Sequence, residues 1–154
     1  GVPTQAARLA DTFAAGLDTI RASAARFPTR PRVYFEEWPD PLISGIRWVA
    51  ELVRIAGGDD VFPERAAESL AKARILEDPD EVIRRAPDII LGSWCGKKFR
   101  PQKVAARPGW DAIPAVRDGE LHEIKSPIIL QPGPAALTDG VREIAKIIQA
   151  WSRR

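Results

Sequence analysis

Residues 32–45 read RVYFEEWPDPLISG. Val33, Tyr34 and Phe35 form a short β-type run, and the chain then turns abruptly acidic and aromatic at Glu36, Glu37 and Trp38. Pro39 and Pro41 bracket Asp40, Ser44 and Gly45 follow, and a helical periodicity begins at Ile46. The pattern predicts a strand over 33–35, an irregular loop over 36–45 and then a helix. In an open α/β sheet, ligands bind at the loops that follow the carboxyl ends of strands. A loop carrying a large ring, carboxylates and a Ser-Gly helix start is therefore a candidate ligand-facing edge. A second reading of the same residues has Trp38 capping the core and the carboxylates solvated.

Upstream, residues 4–27 carry Leu9, Phe13, Leu17 and Ile20 at spacings of four and three, one apolar stripe of a long helix. Thr4 is its expected N-cap, and Pro28 and Pro31 end it. At 1.5 Å per residue such a helix is about 36 Å long. Downstream, Ile46, Val49, Leu52, Val53 and Ala56 make the apolar face of a second helix, which Gly57-Gly58 stops. Residues 59–73 read mostly as loop with a helical turn around 64–70, and 74–76 as a short strand. Pro79 opens a helix with Asp78 as cap, and Asp80 and Glu81 in its first turn complement the helix dipole. Val82 and Ile83 point inward, and Pro87 closes the segment.

Residues 88–92, DIILG, form a continuous apolar run between a proline and a glycine, as a strand buried on both faces requires. The loop after it, 93–98, again places a tryptophan, Trp94, just past a strand. A short helix over 101–107, a turn at Pro108-Gly109-Trp110, a strand over 121–124, an irregular loop over 125–134 and a helix over 137–151 complete the chain. A long helix followed by about four β-loop-α repeats predicts an α/β fold with a largely parallel sheet flanked by helices. Right-handed crossovers then bring the loops 36–45, 93–98 and 125–134 to one edge.

The 154 residues suffice for one domain with its own core. Hydrophobic residues make up 45% and charged residues 29%, with a formal net charge of +2, an ordinary balance for a soluble domain. The basic residues are scattered and the aromatics do not alternate with them, which disfavours nucleic acid as a partner. No apolar run is long enough to span a bilayer, and no signal-type start is present. With Gly1 in first place, a segment upstream stays open. Cys95 and His122 are single, which excludes an internal disulfide and a usual zinc site.

For catalysis, Cys95 lies in a strand-to-helix loop with Lys97 and Lys98 able to lower its pKa. A cysteine hydrolase also needs a base, and His122, inside a strand, is badly placed to reach it. Glu36 and Glu37 are adjacent, so on a strand they point to opposite faces and do not work as an acid-base pair. No phosphate-cradling or nucleophile-elbow motif occurs. Binding fits better than chemistry. Trp38 and Trp94 offer broad, stiff, apolar area for a large ligand, and Ser126 and Gln131 offer hydrogen bonds. For Trp48 and Trp110 core packing is the preferred reading.

Residues 30–58 (RPRVYFEEWPDPLISGIRWVAELVRIAGG), 87–101 (PDIILGSWCGKKFRP) and 107–140 (RPGWDAIPAVRDGELHEIKSPIILQPGPAALTDG) resemble the C-terminal half of cobalamin-type substrate-binding proteins of ABC importers. That family belongs to a wider group that also binds iron-siderophores and haem. The resemblance implies that residues 1–30 are the long interlobe helix and linker, and 31–154 a C-terminal Rossmann-like lobe whose N-terminal partner lobe has no counterpart here. It implies that Glu37, Trp38 and Pro39, then Ser93, Trp94, Cys95 and Gly96, then Ser126 and Gln131, face a corrinoid in a cleft. Gln131 stands where some members carry arginine. Asp80 falls where the family's docking carboxylate meets the membrane permease. No cofactor and no chemistry are implied, and the full-length protein is expected in the periplasm or anchored outside the membrane. Without a second lobe to cover it, helix 4–27 is expected to drive weak self-association, and both Trp38 and Trp94 are expected to be partly exposed.

Overall fold

In the computed structural model, which describes residues 1–154, a mostly parallel sheet of five strands is flanked by helices on both faces. Strand β1 (Arg32–Pro39) is its axis. One side of β1 pairs in parallel with β4 (Ile89–Gly92), which pairs in parallel with β5 (Leu121–Glu123). The other side meets two short strands in turn: β3 (Asp59–Asp60), parallel, near the start, and β2 (Leu42–Ser44), antiparallel, near the end. The fold is a single Rossmann-like α/β lobe, as the alternation of elements predicts.

The sheet divides the core by residue parity. Val33, Phe35, Ile89, Leu91 and Ile124 face one layer, closed by α2 (Arg47–Ile55) and α8 (Val141–Ser152) through Val49, Leu52, Val53, Ile144 and Ile148. Tyr34 and Ile90 face the other layer, with Phe62, Phe99, Val104, Trp110 and Ile113. That layer is covered by the short helices α3 (Pro63–Ala66), α4 (Asp80–Arg85), α5 (Pro101–Ala105) and α6 (Pro114–Arg117). Burial of β4 is complete along its length, as its unbroken apolar run requires. Gly57, at φ +99°, ends α2 in a backbone conformation that side chains rarely adopt.

Several local expectations change. The predicted 36–45 loop is instead the end of β1 and a tight hairpin: Glu36 pairs with Ser44, Trp38 with Ile43 and Pro39 with Leu42, across a bulge. Inward-outward alternation continues past Phe35 because Glu36 is buried with its charge compensated. The long helix α1 (Val2–Ala24) starts before Thr4; the Gly1 carbonyl accepts the amides of Thr4 and Gln5, and no side chain caps it. Strand β3 escapes sequence reading because Asp59-Asp60 joins the sheet by backbone alone. Of the predicted 74–76 strand only a single bridge, Ile43 to Ile75, exists, and Arg74 closes a 3₁₀ turn. The 125–134 loop contains one helical turn, α7 (Ser126–Ile129), and α8 is entered through a π turn over Ala136–Gly140.

Helix α1 attaches only by its C-terminal part. Leu17 and Ile20 pack on the first core layer and Ala24 is buried, while residues 2–12 are all exposed, with Leu9 at 51%.

Candidate functional site at the carboxyl edge of the sheet

The pairing register aligns Glu36, Gly92 and Glu123 across β1, β4 and β5. The segments that follow these residues, 37–41, 93–98 and 124–131, therefore emerge side by side at one edge. This edge is built over a buried ionic network. Glu36 is fully buried, and its carboxylate accepts two bonds from the fork of Arg107, at 2.6 and 2.9 Å, and one from Trp94 Nε1 at 3.0 Å. Paired, planar contacts of this kind are what a buried carboxylate needs to remain charged. Burial, and then the neighbouring Glu36 charge, push the Tyr34 hydroxyl well above its ordinary pKa.

Its neighbour Glu37 turns the other way, as adjacency on a strand requires. It takes the fork of Arg74 at 2.6 and 3.3 Å. Arg74, only 2% exposed, also donates to the Ser44 carbonyl at 2.5 Å. The pair locks the β1–β2 hairpin to the 3₁₀ turn.

The predicted site residues divide into three sets. Trp38 and Pro39 are half-buried at the edge, with Trp38 Nε1 donating to the Asp40 carbonyl at 2.9 Å and Lys97 Nζ lying 4.3 Å over its ring. Cys95, Gly96 and Gln131 are exposed, and Ser126 is half-buried. Ser93 and Trp94 lie beneath the surface. Ser93 is fully buried, and Trp94 is 6% exposed, its ring edge-on to Phe99 at 5.0 Å. The expectation that Trp94 is exposed is thus overturned: its N–H is committed to Glu36 and its ring to the second core layer. Phe99 in turn fills the space over Gly92, where a Cβ would stand 2.0 Å from the ring. Asp80 is exposed on the first turn of α4, and its amide donates to the Asp78 carboxylate at 3.0 Å. His122 is bonded to Glu120, at 2.7 Å, rather than turned to the exposed Cys95.

Sequence reading missed Arg107, which anchors the edge from below, and a recess beside it. The recess, about 560 Å³, is lined by Pro39, Asp40, Trp94, Lys97, Lys98, Arg100, Lys103 and Arg107. The density of cations between positions 97 and 107 is the signal that would have found it. A larger recess, about 660 Å³, lies at the opposite, amino edge. There Arg30 is bonded to Asp59 at 2.9 Å and to the Gly58 carbonyl at 2.7 Å.

A family model described as periplasmic binding protein matches residues 1–128. The chain belongs to the periplasmic binding protein family. No curated protein sequence matches this periplasmic binding protein. Among solved structures it is similar to an ABC transporter substrate-binding protein from Listeria monocytogenes, with 16% identity and a TM-score of 0.79, covering 96% of this chain and 58% of the other. It is also similar to the haem-binding protein RhuT from Roseiflexus (25% identity, TM-score 0.72, covering 97% of this chain and 59% of that one). A third is the vitamin B12 binding protein BtuF of Vibrio cholerae (18% identity, TM-score 0.69, 94% and 54%). The chain thus spans a little over half the length of these structures. No helix is long and apolar enough to cross a membrane.

Proposed function

We propose that this chain is the C-terminal lobe of the substrate-binding component of an ABC importer, working outside the cytoplasmic membrane, and that it performs no chemistry. The observation that carries the reading is the alignment of three strand ends, Glu36, Gly92 and Glu123, which gathers three loops at one sheet edge in a chain of this family. Its ligand is a corrinoid such as cobalamin, with haem or an iron-siderophore as the alternative; similar structures bind vitamin B12 and haem. The surface that meets the ligand comprises Glu37, Trp38 and Pro39, then Cys95 and Gly96, then Ser126 and Gln131, with Ser93 and Trp94 supporting it from below. Asp80 faces a permease arginine, as an exposed first-turn acid can.

The reading is tested by titrating the chain with cyanocobalamin and with haem while following tryptophan fluorescence. Saturable quenching by either, weakened several-fold by Trp38→Ala, is the expected result. Binding by neither ligand, or binding indifferent to Trp38→Ala, contradicts it. Cys95→Ser is expected to leave binding unchanged; a turnover lost on that substitution would place the protein among enzymes instead.

A further inference from the structure

The recess beside Trp38 is unbalanced in charge. Arg107 is spent on Glu36, in a fork that leaves neither partner free. Lys97 lies over the Trp38 ring. Lys98, Arg100 and Lys103 are exposed and make no ion pair. The acids nearby do not compensate them. Asp40 is the single acid in the lining of the recess. Glu123 already holds Lys125 at 2.7 Å and the Phe99 amide at 3.3 Å; the Lys125 bond, with the Lys98 charge adding to it, keeps its carboxyl below the usual range. A concave surface lined by one sign of charge focuses its field and concentrates counter-ions. Arginine and lysine together suit an oxyanion: the first through a planar fork, the second as a point charge.

We propose that this recess is an oxyanion subsite, in which Lys98, Arg100 and Lys103 hold a carboxylate or phosphate group of the ligand bound at the edge. The proposal rests on the reading of that edge as the ligand-facing one. It also narrows the ligand. It places at least one anionic group of the ligand on the side that faces α5. Lys97, lying between the recess and Trp38, moves as the anion enters, which couples the subsite to an optical signal.

Citrate and inorganic phosphate are the probes, titrated against the chain at constant ionic strength with backbone amide shifts and tryptophan emission as readouts. Saturable shifts over residues 97–103 are expected, with the tighter of the two probes showing whether the subsite prefers carboxylate or phosphate. Lys98→Glu with Lys103→Glu should weaken that binding at least tenfold while the rest of the amide spectrum stays in place. Shifts that chloride reproduces at equal ionic strength, or binding that the double substitution leaves unchanged, overturn the proposal. Should cyanocobalamin or haem bind the double variant as tightly as the parent chain, the edge remains a ligand site and the oxyanion subsite alone is refuted.

Discussion

Arg107 and Glu36 lie 71 positions apart and meet under the edge, with Glu36 fully buried and the Arg107 side chain 18% exposed. Removing one member of such a pair leaves a buried charge unpaired, which typically costs about 3–5 kcal/mol. Arg107→Ala should therefore destabilise the lobe by about 3 kcal/mol, read as a lower midpoint in urea unfolding. Arg107→Lys should recover only part of it, because an ammonium cannot fork. A change under about 0.5 kcal/mol, the size of an exposed pair, would show that the network is not what holds the edge. Asp60 is the other informative residue. Desolvation raises its pKa from the usual carboxylate value to about 6, against a bond from the Phe62 amide and the Arg85 charge, with Glu64 acting in the same direction as burial. A raised carboxylate pKa means that the folded chain binds the extra proton between roughly pH 4 and 6, so this group's contribution to stability falls as pH rises through that window. Asp60→Asn keeps an acceptor for Phe62 and removes the charge. It should stabilise the lobe at pH 7 by about 1–3 kcal/mol, since each tenfold change in proton affinity is worth roughly 1.4 kcal/mol, and the gain should vanish near pH 4. A gain independent of pH would assign the effect to something other than the carboxylate.

At the scale of elements, the close contact of β4 with Phe99 sets how the 93–98 segment leaves the sheet. Gly92→Ala would drive a Cβ into the Phe99 ring, and overpacking of this kind costs about 1–3 kcal/mol. Because Phe99 supports Trp94, near-UV circular dichroism should change together with stability; loss of stability alone would separate the two contacts. What the sequence made legible follows from range. β4 was readable because its run DIILG is apolar at every position, and α2 because Val49, Leu52 and Val53 mark one face. The fate of Trp94 was not, since its partner Glu36 is 58 positions away and nothing local announces it. Strand β3 was not, since Asp59-Asp60 joins by main chain only. The hairpin after Trp38 was hidden by two prolines that read as loop and in fact sit at an edge where no ladder donor is needed. Helix α1 leaves Leu9 and Val2 exposed, at 51% and 78%. Through this face we propose weak self-association, which sedimentation over a concentration series should show and Leu9→Lys should reduce; a strict monomer at high concentration contradicts it.

On the scale of the whole molecule, the two edges of the sheet carry different ionic contacts. At the amino edge Arg30 is tied to Asp59 and to main-chain carbonyls. At the carboxyl edge the cations around Lys98 and Lys103 are free, over a rigid base of Glu36, Arg107 and Trp94. A site built on strand ends and pinned from below loses little of its shape on binding. The most direct measurement is therefore a map of amide shifts on adding cyanocobalamin or haem. Perturbations should be confined to residues 36–41, 93–103 and 124–131, with the amino edge around Arg30 and Asp59 silent. Perturbations centred on the amino edge, or none at saturating ligand, would contradict a ligand site at the carboxyl edge.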